Sequence, residues 1–174
     1  LWAPGAAAAL EWLVPDDVVD LPVVQQRYAF FTNTIGGILD DLMITNAGDH
    51  LFVVINAACK EQDVAHLQKH IGGACRIEVL PQQSLLALQG PAAASVLERL
   101  SPETDFANWH FMTARTLLLV GVECLVTRSG YTGEDGFEIS IPDSHAEQLA
   151  RALLAEPEVA PIGLGARDSL RLEA

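Results

Sequence analysis

Two apolar, strand-like runs, RYAFFTNTI (27–35) and ILDDLMIT (38–45), meet across the pair Gly36-Gly37. Both central positions of a tight hairpin turn favour positive φ, which glycine adopts freely, so this junction predicts two antiparallel strands joined by a two-residue turn. LFVVIN (51–56), entered through the turn-forming NAGD, reads as a third strand. A chain that commits to hairpins this early is not building a regular βαβ alternation.

The remainder agrees. Residues 5–14, GAAAALEWLV, have helical composition and stop at Pro15. EQDVAHLQKHI (61–71) predicts an amphipathic helix with Val64, Leu67 and Ile71 inward, ended by Gly72-Gly73. CRIEVL and SLLALQ read as strands, and GPAAASVLERL (90–100) as a helix with Pro91 in its first turn. TLLLV and ECLVTR flank Gly121 as further strands, followed by GFEISI (136–141). Ser144 and Glu147 match a capping box that opens HAEQLARALLA, and one more helix is expected from Arg167. The sum is an α+β fold of mainly antiparallel sheets with flanking helices. With no repeat and no linker, residues 1–174 are expected to form one intimately packed unit. The start at Leu1 and the stop within an apparent helix predict a piece of a longer chain, cut at both ends.

Charge removes one class of function. Ten basic and 23 acidic residues give a net charge of −13, with no basic face for nucleic acid. The longest apolar run, TLLLVGVECLVT, is interrupted by Glu123 and falls short of a membrane span. Cys59, Cys75 and Cys124 are odd in number and widely spaced, which fits free thiols in a reducing compartment and no disulfide framework. His66 and His70 are four apart on a helix but have no third ligand in register, so a solvated helix face is expected and no metal.

Three places depart from what a core requires. Asp40-Asp41 interrupts an apolar strand, and because neighbours point to opposite faces, one carboxylate must turn inward and find a donor. It either caps or pairs within the fold or recognises a ligand N–H. RSGYTGEDGFEI (128–139) holds Gly130, Gly133 and Gly136 at every third position, with Tyr131 for stacking and Glu138 two residues into the next strand. Its spacing is not that of a phosphate-binding glycine loop, and a tight hairpin with a structural tyrosine explains the same residues. GLGARDSLRLEA places Arg167 and Arg171 on one helix face beside Asp168, as a carboxylate-binding fork or an ordinary helix salt-bridge network. No serine or cysteine lies in a nucleophile context.

Taken together, GGILDDLMI, VVINAA, LLALQGP, RSGYTGEDGFEI and GLGARDSLRLEA, in this order, resemble the aminomethyltransferase, or T-protein, family of the glycine cleavage system. The resemblance runs from about Arg27 onward and implies the family's central folate-binding portion. It implies transfer of the one-carbon unit of an aminomethyl group, carried on the lipoyl arm of an H-protein, to tetrahydrofolate with release of ammonia. By motif, Asp41 matches the essential aspartate. Tyr28, Asn56, Tyr131, Glu138 and Arg167 match substrate and folate contacts. Tetrahydrofolate is implied as acceptor and H-protein as partner, with no metal, nucleic acid or membrane. The bacterial cytoplasm is the favoured compartment, or the mitochondrial matrix if the source is eukaryotic. Two departures stand out: Thr45 replaces a tyrosine common in the family after DDL, and NWHFM stands where a tyrosine-rich patch is expected. Alternatives sharing the motifs are a folate-dependent demethylase, the folate domain of a sarcosine- or dimethylglycine-oxidising enzyme, and a non-catalytic folate-binding protein.

Overall fold

A computed structural model describes residues 1–173. The chain divides into two compact units, residues 1–80 and the part from Pro81 onward, in place of the single packed unit expected. The boundary falls at Leu80-Pro81, where composition does not change and no flexible tract intervenes. What separates the units is that each buries its own apolar residues, and a sequence scan for linkers does not detect that.

The first unit comprises α1 (Ala6–Leu10), β1 (Gln26–Thr32), β2 (Ile38–Asn46), β3 (Leu51–Ile55) and α2 (Lys60–Ile71). Its sheet has the order β1-β2-β3 and is antiparallel throughout, with Ala29 opposite Leu42 and Leu42 opposite Ile55. Alternation along β1 and β2 sends Ala29, Phe31, Leu42 and Ile44 into a core completed by Leu10, Leu67 and Ile71. The same alternation leaves Tyr28, Phe30, Asp41 and Met43 on the other face.

Several local expectations change here. The β1–β2 connection is a loop over residues 33–37, not a two-residue turn. Only Gly36 has positive φ (77°), because the Asn33 side chain supplies the closure by accepting from the Ile35 and Gly37 amides. Helix α1 stops at Leu10, since the Glu11 carboxylate turns to the Val18 and Val19 amides and ties down the following loop. CRIEVL is not a strand. Arg76 makes only an isolated antiparallel bridge to Trp2, and residues 77–80 join no ladder. The buried stripe of α2 is Asp63, Leu67 and Ile71, with Val64 only half-buried.

The second unit comprises β4 (Gln83–Gln89), α3 (Ala93–Leu100), β5 (Ala114–Leu119), β6 (Val122–Thr127), β7 (Gly136–Pro142), α4 (Asp143–Leu154) and α5 (Leu164–Glu173). Its antiparallel sheet has the order β4-β7-β6-β5. Strand β7 is buried at every position but its last, and Phe137, Ile139 and Ile141 anchor a core with Leu97, Leu119 and Leu149. Val120 (φ 46°) and Gly121 (φ 84°) form the two-residue turn between β5 and β6, which is the geometry the first hairpin did not adopt.

The helix starts also move. The helix expected from residue 90 begins at Ala93, so Pro91 precedes it. Helix α4 starts directly after Pro142, which puts Ser144 inside the first turn. The capping box therefore does not form: Ser144 pairs with His145, and Glu147 with Arg151. Helix α5 begins at Leu164, three residues before Arg167. Among the described residues no helix is long and apolar enough to cross a membrane.

Candidate functional site

In the first unit three of the motif residues converge on one carboxylate. The Tyr28 hydroxyl donates to Asp41 Oδ2 at 2.7 Å, and Asn56 Nδ2 donates to Asp41 Oδ1 at 2.5 Å. Strand register explains the meeting. Phe30 is directly opposite Asp41, so Tyr28 is its diagonal neighbour on the same face, and Asn56 follows Ile55 at the end of β3. Asp41 is thus oriented by one phenol and one amide, both neutral.

Asp40 takes the inward role expected for one of the pair. It lies opposite the fully buried Phe31, and its Oδ1 accepts from the same Asn56 amide at 3.1 Å. Behind it sits Asp63, only 1% exposed in the first turn of α2. Burial, with the hydrogen bond and negative charge of Asp40 and the charge of Asp41, pushes the Asp63 carboxyl up to about 7. Burial pulls Asp40 the same way, but hydrogen bonds from Asp63, the Asp41 backbone, Asn56 and Cys59 outweigh it and hold Asp40 below the ordinary carboxylate range. Burial and the adjacent Asp40 raise the Cys59 thiol.

The second unit holds a different arrangement. Glu138, central in β7 between Ala87 of β4 and Thr127 of β6, is 8% exposed and ion-paired with Arg167 Nη2 at 2.9 Å. The Arg167 guanidinium also lies over the Tyr131 ring, 3.8 Å from its centroid, and Arg171 approaches the same ring at 5.9 Å. Arg167 thus meets a carboxylate on β7, outside its own helix. A cavity of about 560 Å³ adjoins it, lined by Leu85, Ala87, Gln89, Thr132, Ile162 and Arg167 among others.

The glycine-rich stretch is pinned at both ends by residues the sequence reading passed over. Arg128 grips Asp135 with two bonds of 2.8 and 2.6 Å and donates to the Trp109 and Phe106 carbonyls. The fork holds the Asp135 carboxyl below its ordinary range. Gln89 donates to the Ser129 and Phe137 carbonyls, and its side chain fills the space where a Cβ on Gly130 or Gly136 would stand, 2.0 and 2.3 Å from Gln89 Oε1. Those two glycines admit Gln89, whereas Gly133 supplies the one positive φ (78°) of the loop.

Asp63 could have been found, as a charged residue on the same helical stripe as Leu67 and Ile71. Gln89 carried no such signal. Thr45, at the position where a tyrosine is expected, is fully buried and lies on the same face of β2 as Asp41 and Met43. His66 is not a solvated ligand candidate either: its ring packs against Phe31 and His70, and burial lowers its pKa.

Comparison with known proteins finds relatives that match along most of the chain. A family model described as GCVT N-terminal domain matches residues 3–174. The mitochondrial aminomethyltransferase of Dictyostelium discoideum is 45% identical over 178 residues, covering 94% of this chain and 44% of its own length. The crystal structure of glycine cleavage system aminomethyltransferase T from Bartonella henselae superposes with a TM-score of 0.89 at 41% identity, covering 99% of this chain and 47% of that one. The heterotetrameric sarcosine oxidase of Corynebacterium sp. U-96 superposes with a TM-score of 0.61 at 25% identity, covering 92% of this chain and 80% of that one. The chain therefore spans less than half the length of the two aminomethyltransferases.

Proposed function

The chain belongs to the GCVT N-terminal domain family, and from that premise we propose that it forms the folate-handling part of an aminomethyltransferase of glycine cleavage. In the proposed reaction the donor carbon is bound to the lipoyl sulfur of an H-protein and to an amino nitrogen. Two nitrogens of tetrahydrofolate replace both, which yields 5,10-methylenetetrahydrofolate, ammonia and the dihydrolipoyl arm. The chemistry needs a carboxylate that keeps its charge beside a carbon becoming cationic, and a second one that reads the N–H edge of the pterin.

Asp41 suits the first task. Its charge is oriented by Tyr28 and Asn56 but not neutralised by them. It positions the reacting nitrogens, stabilises the iminium as ammonia departs, or relays a proton. Glu138 suits the second, since a carboxylate accepts from two adjacent ring N–H groups, with Tyr131 packed against the ring and Arg167 orienting the acceptor. Tetrahydrofolate is the acceptor substrate and H-protein the partner. The compartment we propose is a reducing one, bacterial cytoplasm or mitochondrial matrix, either of which suits the free thiols of Cys59, Cys75 and Cys124.

The observation that carries this reading is the convergence of Tyr28, Asp41 and Asn56, residues from three separate motifs, at hydrogen-bond distance on one carboxylate. The test is the full-length protein given aminomethyl-loaded H-protein and tetrahydrofolate, with methylenetetrahydrofolate and ammonia both measured. Equimolar formation of the two, lost in Asp41→Asn, is the expected result. One-carbon transfer from free sarcosine or dimethylglycine, with none from loaded H-protein, would assign the donor to the paralogous class.

A further inference from the structure

We propose that Asp40 and Asp63 hold a single proton between them, and that this pair is a positioning device which fixes the Asn56 amide and, through it, the Asp41 carboxylate. The proposal deepens the reading of Asp41 given above and rests on it.

The starting observation concerns two oxygen atoms. Asp63 Oδ2 and Asp40 Oδ2 are both enclosed, and among the described residues no N–H or hydroxyl donates to either. The ionisable groups facing Asp63 are Asp40 and Asp41 on β2, both acidic, with the Cys59 thiol at the start of α2 nearby. No cation is among them. His66, one turn further along α2, has its Nε2 enclosed and its ring held toward the neutral form by burial, so it supplies no positive charge. Two adjacent carboxylates in such a place cannot both be ionised, and an enclosed oxygen without a donor is costly. One proton resolves both problems, because the O–H of one carboxyl becomes the donor that the other lacks.

The surroundings also say which carboxyl carries it. Asp40 accepts from Asn56 and from Cys59, bonds that favour its anionic form. Asp63 has no comparable donors and is the more deeply buried of the two. The proton therefore resides on Asp63 and points to Asp40.

The consequence reaches the site through Asn56. Its NH₂ group has two hydrogens, and it contacts Asp40 Oδ1 at 3.1 Å and Asp41 Oδ1 at 2.5 Å. The amide is held between an inner and an outer carboxylate. When Asp63 ionises, repulsion displaces Asp40, the inner anchor loosens, and the donor that orients Asp41 is no longer fixed. Transfer activity is then expected to fall as pH rises through the Asp63 transition, near 7.

The experiment uses the full-length protein in two arms. In the first, infrared spectroscopy without folate looks for the carbonyl stretch of a protonated carboxyl at pH 6 to 7 that titrates with pH. Asp63→Asn is expected to abolish it, and Asp40→Asn to move its titration to lower pH, because it removes the charge that adds to burial in keeping the proton on Asp63. In the second arm, the pH profile of aminomethyl transfer is recorded for wild type and Asp63→Asn. The asparagine keeps a donor toward Asp40 but cannot ionise, so the alkaline limb of the profile should move up by roughly one pH unit or more, or vanish. Absence of the carboxyl band overturns the shared proton. A band with an unchanged profile in Asp63→Asn overturns the positioning role. A wild-type protein without transfer activity sinks the functional reading and the positioning role with it, while the infrared arm still decides the shared proton.

Discussion

The two units each present a carboxylate, buried at Glu138 and half-buried at Asp41, and they solve the problem of its charge in opposite ways. Glu138 is met by a guanidinium at 2.9 Å, itself stacked over Tyr131, so charge and countercharge are closed on one another. Asp41 is met by a phenol and an amide and is backed by two further aspartates. A paired carboxylate is a fixed recognition element, stable and directional. An unpaired one surrounded by neutral donors retains its negative potential for whatever positive charge develops nearby. Under the proposed function, this difference puts recognition in the second unit and chemistry in the first.

Asp41→Asn gives the sharpest test of that division. It keeps shape and removes charge, and transfer should drop roughly 100-fold or more with little change in thermal stability. Activity close to wild type would end the distinction. Arg167→Ala should act the other way round, on stability, because it leaves Glu138 buried and unpaired. Breaking such a pair costs about 3–5 kcal/mol when fully buried, and Arg167 is a fifth exposed, so about 2 kcal/mol is expected from denaturant unfolding. Restoration by the double variant with Glu138→Gln would show that the penalty lies in the stranded charge.

Tyr28→Phe removes one donor from Asp41 while Asn56 remains. A hydrogen bond to a charged group contributes about 1.5–3 kcal/mol, so kcat should fall roughly tenfold, with folate affinity nearly unchanged. The smallest effect is on pH and stability. Asp63 has its carboxyl raised in the folded state, so its contribution is greatest below pH 4 and is lost as pH climbs toward about 7. Thermal melts from pH 4 to 7 should show wild type losing ground to Asp63→Asn across that window. Parallel melting curves would contradict the raised carboxyl.

Seven of the eight expected strands and their antiparallel sense were legible, CRIEVL being the exception, because alternation is written in adjacent positions, and the motif strings singled out Tyr28, Asp41, Asn56, Tyr131, Glu138 and Arg167 as candidates. What could not be read depends on side-chain contacts that neither alternation nor motif strings encode. The Asn33 closure replaced a two-glycine turn, Asp63 entered an apolar stripe because a carboxylate awaited it on β2, and Arg128 found Asp135 seven residues away. The division into two units was hidden for the same reason, since each core is defined by long-range packing and not by any feature of the Leu80-Pro81 joint.

The seating of Gln89 bears on how this segment is able to vary. A side chain at Gly130 or Gly136 would push the end of Gln89 aside, away from the two carbonyls it serves on either flank of the loop that carries Tyr131. Positions 89, 130 and 136 are therefore sterically coupled: what an added side chain at either glycine costs is the anchoring that Gln89 gives the loop, and a shorter residue at 89 would relieve the crowding without restoring those bonds.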